Sequence, residues 1–241
     1  TNSSGLWKKY KLDTFDISIS SIAVRNEEIF AGTLWQGIYK STNEGKSWIK
    51  FNSGLKNLLI NKLINAEGRI FAATGEYVDR NQGLYCLDVG ETKWKILKDS
   101  LYGEAINDLI YSGSALYAGT HTKGVFKSTN LGTTWHSVNN GIDDYRIRVH
   151  NLCSQGNFIF ADDYSGYIYV SSSKGKSWKK IESLMERMVS DMVNDDENLF
   201  VGTYSSGILH SKDYGNNWEK ISESMNLKYV RSLYIDGNFL Y

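Results

Sequence analysis

Short apolar and β-branched runs, separated by clusters of Gly, Asn and Ser, follow one another along the whole chain. No long stretch carries a helical period. Alternation over short runs, with turn residues between them, predicts β-strands joined by tight turns. The pattern also repeats. Tryptophans stand at Trp7, Trp48, Trp94, Trp135, Trp178 and Trp218, with gaps of 41, 46, 41, 43 and 40; Trp35 falls outside the register. An aromatic column recurs at Phe30, Phe71, Tyr117, Phe160, Phe200 and Tyr241. Eight residues earlier stand Ile22, Leu63, Leu109, Leu152, Met192 and Leu233, and eleven earlier Ile19, Ile60, Ile106, Val149, Val189 and Val230.

One unit reads as four strands: A near Ser18–Val24, B near Ile29–Gly32, C near Gly37–Lys40 and D near Ser47–Phe51. A four-stranded unit that cannot bury both faces alone must stack on its neighbours, which predicts an all-β fold, a β-propeller of about six blades. Residues 1–241 are expected to form a single propeller domain, with five full repeats and partial blades at each end. Thr1-Asn2 aligns with Thr42-Asn43, and the chain stops partway along a strand B at Tyr241. The terminal blade is therefore expected to combine both chain ends and to lack about eleven residues of strand C, a gap that a partner strand could fill. Seven blades would follow if the chain is a piece of a longer protein or assembly.

Composition narrows the function classes. Lys+Arg and Asp+Glu both number 27, so the net charge is zero, and nothing favours nucleic acid as a partner. No apolar run is long enough to span a membrane. Cys86 and Cys153 fall in different repeats without metal-site spacing, so they are expected as unpaired buried residues, with no metal and no cofactor.

The C–D turns carry a motif. Ser41, Asn43, Gly45 and Trp48 recur as Ser128, Asn130, Gly132 and Trp135, as Ser171, Ser173, Gly175 and Trp178, and as Ser211, Asp213, Gly215 and Trp218. A short Asn or Asp side chain accepts backbone N–H groups within such a turn, and Gly supplies positive φ. The turns resemble the Asp-box, or bacterial neuraminidase repeat. With Ala31-Gly32-Thr33, Ala118-Gly119-Thr120 and Val201-Gly202-Thr203, the chain is similar to sialidase-like, xyloglucanase-like and photosystem assembly-factor-like propellers. The resemblance implies that the boxes are structural and face away from the ligand site. It also implies a periplasmic or extracellular location.

The ligand face is then expected at the B–C loops and D–A connections. Trp35, Tyr77, Arg80, His121, Asp162, Asp163, Tyr164, Tyr204, Arg146 and Arg187 are the candidate ligand-binding residues there. Rings mixed with hydroxyls and charges suit a glycan, or a protein or peptide partner. Between the apolar columns of strand A lie two polar ones. Ser20, Asn61, Asn107, His150, Ser190 and Arg231 form the first; Ser21, Lys62, Asp108, Asn151, Asp191 and Ser232 form the second. At least one is expected to line a water-filled channel.

A catalytic site is harder to assemble. Tyr145-Arg146-Ile147-Arg148 resembles the Phe/Tyr-Arg-Ile-Pro of sialidases, without the proline and too late in the chain for the remaining machinery. A xyloglucanase-like reaction needs two carboxylates across a cleft. Asp143, Asp144, Asp162, Asp163, Glu104 and Glu186 are available, but one propeller supplies only one wall. No catalytic residue is assigned. The expectation is a non-catalytic binding or scaffold propeller; the alternative is a glycoside hydrolase, sialidase-like or endo-glucanase-like, acting on extracellular polysaccharide or glycoconjugate.

Overall fold

The computed structural model describes residues 17–76, 81–98, 101–142, 148–181, 188–195, 197–223, 227–237 and 239–241. Tyr77, Arg80, Arg146 and Arg187 lie outside the described residues, as do Asp143, Asp144, Tyr145, Ile147 and Glu186. So does the N-terminal strand expected to complete a terminal blade. No helix among the described residues is long and apolar enough to cross a membrane.

The strands group into two compact units, Thr1–Ala105 and Ile106–Tyr241. In the first, β1 (Ile19–Arg25), β2 (Glu28–Thr33), β3 (Gly37–Ser41) and β4 (Ile49–Lys50) form one antiparallel sheet. The next sheet is β5 (Ile60–Ala66), β6 (Arg69–Thr74), β7 (Gly83–Leu87) and β8 (Lys95–Ile96). The second unit repeats the arrangement three times. Its sheets are β9 (Ile106–Ser112) to β12 (His136–Ser137) through β10 (Ala115–Thr120) and β11 (Val125–Ser128), then β13 (Val149–Gln155), β14 (Phe158–Asp163), β15 (Ile168–Ser171) and β16 (Lys179–Ile181), then β17 (Val189–Asn194), β18 (Leu199–Thr203), β19 (Ile208–Ser211) and β20 (Glu219–Lys220). A hairpin of β21 (Ile235–Asp236) and β22 (Phe239–Leu240) follows. Strands A, B and C form where the alternation places them. Strand D is shorter than expected, because the turn and the tryptophan after it occupy its first residues.

Within each unit the sheets stack through the predicted columns. Ile60 and Leu63 pack with Phe30 and Ile38 of the preceding blade; Val149 and Leu152 pack with Tyr117 and Val125; Val189 and Met192 pack with Phe160 and Ile168. Phe30, Phe71 and Phe160 are fully buried, each contributing about 2–3 kcal/mol by area removed from water. Close approach needs a missing Cβ on strand B. A Cβ on Gly32 would stand 2.6 Å from Ile60 Cγ2, on Gly119 2.5 Å from Val149 Cγ1, and on Gly202 2.6 Å from Val230 Cγ1.

The C–D turns have the expected internal bonding. Gly45 N–H donates to Ser41 Oγ and Ser47 N–H to Asn43 Oδ1, both at 2.9 Å; the Ser128, Ser171 and Ser211 turns repeat it. The tryptophans divide into two kinds. Trp48, Trp135 and Trp218 donate Nε1–H to the glycine carbonyl of their own turn. Trp94 and Trp178 reach back to the preceding blade, to Phe51 O at 2.8 Å and Val138 O at 2.6 Å. Cys86 and Cys153 are buried thiols outside any disulfide, and burial, helped by nearby Asp88, pushes the Cys86 thiol up to about 12.

The polar columns serve the junctions between blades. Strand A leaves the ladder at its first polar position: Ser20, Asn61, Asn107 and Ser190 are skipped in the pairing of their sheets. Asn107 Nδ2 then donates to Val149 O of the next blade at 2.6 Å. Second-column oxygens accept the backbone N–H of the next blade's apolar column. Ser21 Oγ takes Leu63 at 3.0 Å, Asp108 Oδ2 takes Leu152 at 2.8 Å, and Asp191 Oδ2 takes Leu233 at 2.9 Å. These contacts give partners to backbone groups that the bulge takes out of the ladder.

Candidate functional site

The second blade has Ala73 in the place of the strand-B glycine and keeps the threonine, whereas the fourth blade changes both positions. The fourth (β13–β16) carries Ala161-Asp162-Asp163 where three others carry Ala-Gly-Thr or Val-Gly-Thr. The threonine closes the B–C hairpin elsewhere: Thr33, Thr120 and Thr203 donate Oγ1–H to the carbonyls of Gly37, Gly124 and Gly207 at 2.8–3.0 Å. Asp163 instead accepts from Ser165 N at 2.9 Å and Tyr167 N at 3.0 Å. It shapes the loop by acceptance alone, and leaves Tyr164 half exposed at its tip.

Asp162 has no counterpart among the other blades. Its side chain is wholly buried. In this sheet the ladder resumes only at Leu152, so both His150 and Asn151 leave it. Asp162 Oδ1 takes the freed Asn151 N–H at 2.5 Å, and Oδ2 accepts from Asn151 Nδ2 at 3.2 Å. The imidazole of His150 completes the cluster, with Nδ1 3.1 Å from Asn151 Nδ2 and 3.7 Å from Asp162 Oδ2. Burial pulls the imidazole's proton affinity down, but Asp162, Asp108 and a hydrogen bond to the Val189 backbone outweigh it, and His150 ends above its ordinary value. Burial pushes the Asp162 carboxyl up, against the pull of His150 and Asn151.

A cavity of about 190 Å³ opens beside this cluster, lined by His150, Asp163, Tyr164, Met188, Val189 and Tyr204. It lies at the junction of the fourth and fifth blades, where a larger residue has replaced glycine. Rings extend the lining. Tyr164 lies 4.8 Å from His150 and 6.3 Å from His121 between centroids, and Tyr204 lies 5.4 Å from Tyr229. Burial raises the Tyr204 phenol, reinforced by Tyr229, Asp162 and Asp191 and opposed by Arg231.

The second unit therefore brings together His121, Asp162, Asp163, Tyr164 and Tyr204 of the expected residues. Trp35 belongs to the first unit, is strongly exposed, and holds a positive φ of 83° at its loop tip. His150, Met188, Val189 and Tyr229 were not expected as site residues. His150 was visible as the one imidazole in a polar column. Met188 and Val189 carry no signal in sequence, because a strand-leading apolar pair reads as core. A larger recess beside His210, Asp213, Trp218 and Glu219 lies at the box turn of the fifth blade. There His210 is held between Asn198 Oδ1 at 2.7 Å and Glu219 Oε1 at 2.8 Å. Among the described residues no group of His, Cys, Asp or Glu is arranged to hold a metal ion.

No family model matches the chain, and no curated protein is similar to it in sequence. Solved structures are. YCF48 bound to D1 peptide superposes with a TM-score of 0.70 at 16% identity, covering 95% of this chain and 74% of that one. The GH74 xyloglucanase from Xanthomonas campestris also gives 0.70, at 14% identity, covering 92% of this chain and 43% of the enzyme. The extracellular domain of the one-component system BT4673 from B. thetaiotaomicron gives 0.57 at 13% identity, covering 95% and 37%. The chain is a β-propeller. This propeller spans less than half the length of the xyloglucanase, and its similarity to all three is one of fold. The neighbours include a peptide-bound protein and an enzyme, so propellers of this shape serve both binding and hydrolysis.

Proposed function

We propose that this propeller is a non-catalytic binding module that holds a segment of a partner protein at the junction of its fourth and fifth blades. The observation that carries the reading is the departure at Asp162 and Asp163. A repeat that replaces its closing Gly-Thr with a buried carboxylate, at a cost to stability, does so where function repays it. The resulting cavity has Tyr164 and Tyr204 beside Met188 and Val189, and its size suits one side chain of a peptide rather than a row of sugar rings. A neighbour of the same fold carries a bound peptide, which supports a peptide partner over a glycan. Export from the cytoplasm belongs to the same reading, supported by an extracellular neighbour.

The hydrolase alternative requires a carboxyl group that meets substrate. Asp162 is fully buried behind His150, so it serves poorly as an acid or base for a glycosidic oxygen. A phage-displayed random peptide library panned on the immobilised protein tests the proposal. Enriched peptides are expected to bind wild type and to lose at least about tenfold in affinity with Tyr204→Ala or Tyr164→Ala. Peptides that ignore both changes place the binding face elsewhere. Turnover of aryl glycosides, removed by Asp163→Asn, would replace binding with hydrolysis, and a glycan-array signal sensitive to Tyr204→Ala would replace peptide with sugar.

A further inference from the structure

The rings around the cavity select for the backbone shape of the partner segment. We propose that this rim takes a proline-rich segment of the partner protein in the polyproline II conformation. One pyrrolidine ring enters the cavity between Tyr164 and Tyr204, and the segment runs on across Tyr229. This deepens the binding function proposed above and rests on it.

Three observations converge. First, successive repeats each put a ring at the same rim. Tyr164 of the fourth blade and Tyr204 of the fifth line one cavity of about 190 Å³. Tyr229, next to Val230 of the sixth repeat's apolar column, lies 5.4 Å from Tyr204 between centroids. Tyr164 is backed by His150 and His121. All three tyrosines are exposed, and so is Met188 between them in the cavity lining. Neighbouring exposed rings make ridges and slots, the surface on which polyproline II helices dock. Met188 adds a flexible thioether that adapts to an irregular apolar contact.

Second, the loops that carry the rings have spent their backbone donors. In the fourth blade, Ser165 N–H and Tyr167 N–H go to Asp163 Oδ1, and Gly166 N–H goes to Asp163 O. In the fifth, Tyr204 N–H goes to Met188 O at 3.0 Å, Ser206 N–H to Thr203 Oγ1 at 2.8 Å and Gly207 N–H to Lys228 O at 2.9 Å. These loops hold little for an added β-strand to pair with. Recognition falls to ring faces and hydroxyls.

Third, the hydroxyls of Tyr204 and Tyr229 have no hydrogen-bond partner among the described residues. A polyproline II helix has no internal hydrogen bonds, so its carbonyls are bare along its length. A phenol can donate to such a carbonyl while the ring face carries the neighbouring pyrrolidine. The segment is already extended before it binds, so little conformational entropy is lost on docking. The 241 residues contain no proline, so a second copy of them cannot supply the segment, and it comes from a different protein.

The experiment is an NMR titration of the full labelled chain with three capped decapeptides: decaproline, an alternating Ser-Leu decamer and an alternating Gly-Ser decamer. Decaproline is expected to shift Tyr164, Tyr204, Tyr229 and Met188, and to bind at least about tenfold more tightly than either comparison peptide. Tyr204→Ala and Tyr229→Ala should each weaken decaproline about fivefold or more. Tyr204→Phe keeps the ring and removes the hydroxyl, and should weaken it about threefold. If either comparison decamer binds these residues as well as decaproline does, the polyproline proposal is overturned and the binding function stands. A Tyr229→Ala variant that binds decaproline as tightly as wild type would overturn it too, because the segment would not run across the rim. If no decamer shifts these residues while library-selected peptides still depend on Tyr164 and Tyr204, the polyproline proposal again falls alone. If library peptides do not depend on those rings either, both readings fail.

Discussion

The junction between the third and fourth blades and the junction between the fourth and fifth use the same strands at the same positions and reach opposite results. In the first, Gly119 admits Val149, Asn107 and Asp108 reach across to Val149 O and Leu152 N, and Trp178 donates back to Val138 O. In the second, Asp162 stands in the place of that glycine. Asn151 turns back to Asp162 instead of reaching across, and Met192 N–H is taken by Asp191 of its own blade at 2.9 Å. Trp218 bonds to its own turn. Polar contacts across this junction are His150 on the Val189 backbone and Cys153 Sγ to Asn194 Oδ1 at 2.9 Å, beside the stacked rings of Phe158 and Tyr214. A repeat protein can thus open a pocket without an insertion, by changing the residue whose missing side chain lets neighbours close.

The strongest way to break that comparison is to move the acid. Gly119→Asp would drive a Cβ to 2.5 Å from Val149 Cγ1 and bury a carboxylate beside Asn107, with no imidazole to face it. The expected cost is about 4 kcal/mol or more in denaturant unfolding, or failure to fold. A cost below about 1 kcal/mol would mean that glycine is not what closes the junction.

Removing the acid from the open junction should cost less. Asp162→Ala leaves the Asn151 N–H without its acceptor and His150 without its counter-charge, at an expected cost of about 2–4 kcal/mol. Asp162→Asn keeps an acceptor for the amide and should lose less. If the asparagine variant is as unstable as the alanine one, the charge pair outweighs the backbone hydrogen bond.

Much of this was legible in the chain. The tryptophan spacing and three aligned columns predicted the sheets, because each column is a contact that every blade must make. Asp162 and Asp163 could be named as candidates, yet their contrast with Ala-Gly-Thr could not be given a consequence. That required knowing that the glycine faces the next blade. The two kinds of tryptophan look identical in sequence, but a signal exists. Gly54 and Gly141, six residues after Trp48 and Trp135, hold positive φ, and a Cβ there would meet Trp94 O at 2.2 Å and Trp178 O at 2.3 Å. A glycine at that offset marks a blade whose successor's tryptophan reaches back. The cross-blade bonding of the polar columns was not legible, because a strand that bulges leaves backbone groups unpaired and alternation alone does not reveal a bulge.

Titration sharpens the comparison further. His150 is raised above its unfolded value, chiefly by Asp162 acting against burial, with Asp108 and the Val189 backbone adding to it and Tyr164 packed on the ring. A raised folded value contributes stability that is fully present below the unfolded value of about 6.5 and is lost as pH rises through the folded one. Asp162, raised by burial, has the same sign, and its loss begins at the unfolded carboxylate value of about 3.9. The His150 part of the decline in unfolding free energy should run from about pH 6.5 upward in wild type, and His150→Asn should flatten that part. An unchanged slope in His150→Asn would show that the imidazole is not held by the junction.

The smallest effect concerns the far end of the same blade. Its box turn carries Ser173, where two others carry Asn and one Asp. Ser173 Oγ accepts the Ser177 N–H at 3.0 Å, whereas Asp213 uses both oxygens, accepting from Asn217 N at 2.8 Å and Asn217 Nδ2 at 2.6 Å. The backbone and side chain of Asn217 hold the Asp213 carboxyl below its ordinary value. Ser173→Asp should install the same acceptor and raise Tm by about 1–2 °C at neutral pH. A depressed carboxylate stabilises above its unfolded value and loses that contribution as pH falls through the folded one, so the gain should vanish in acid. It should leave the His150-dependent slope untouched, because the turn and the pocket lie at opposite ends of strands β15 and β16. A gain that also altered that slope would mean that the open junction is set by the stability of the whole blade rather than by Asp162.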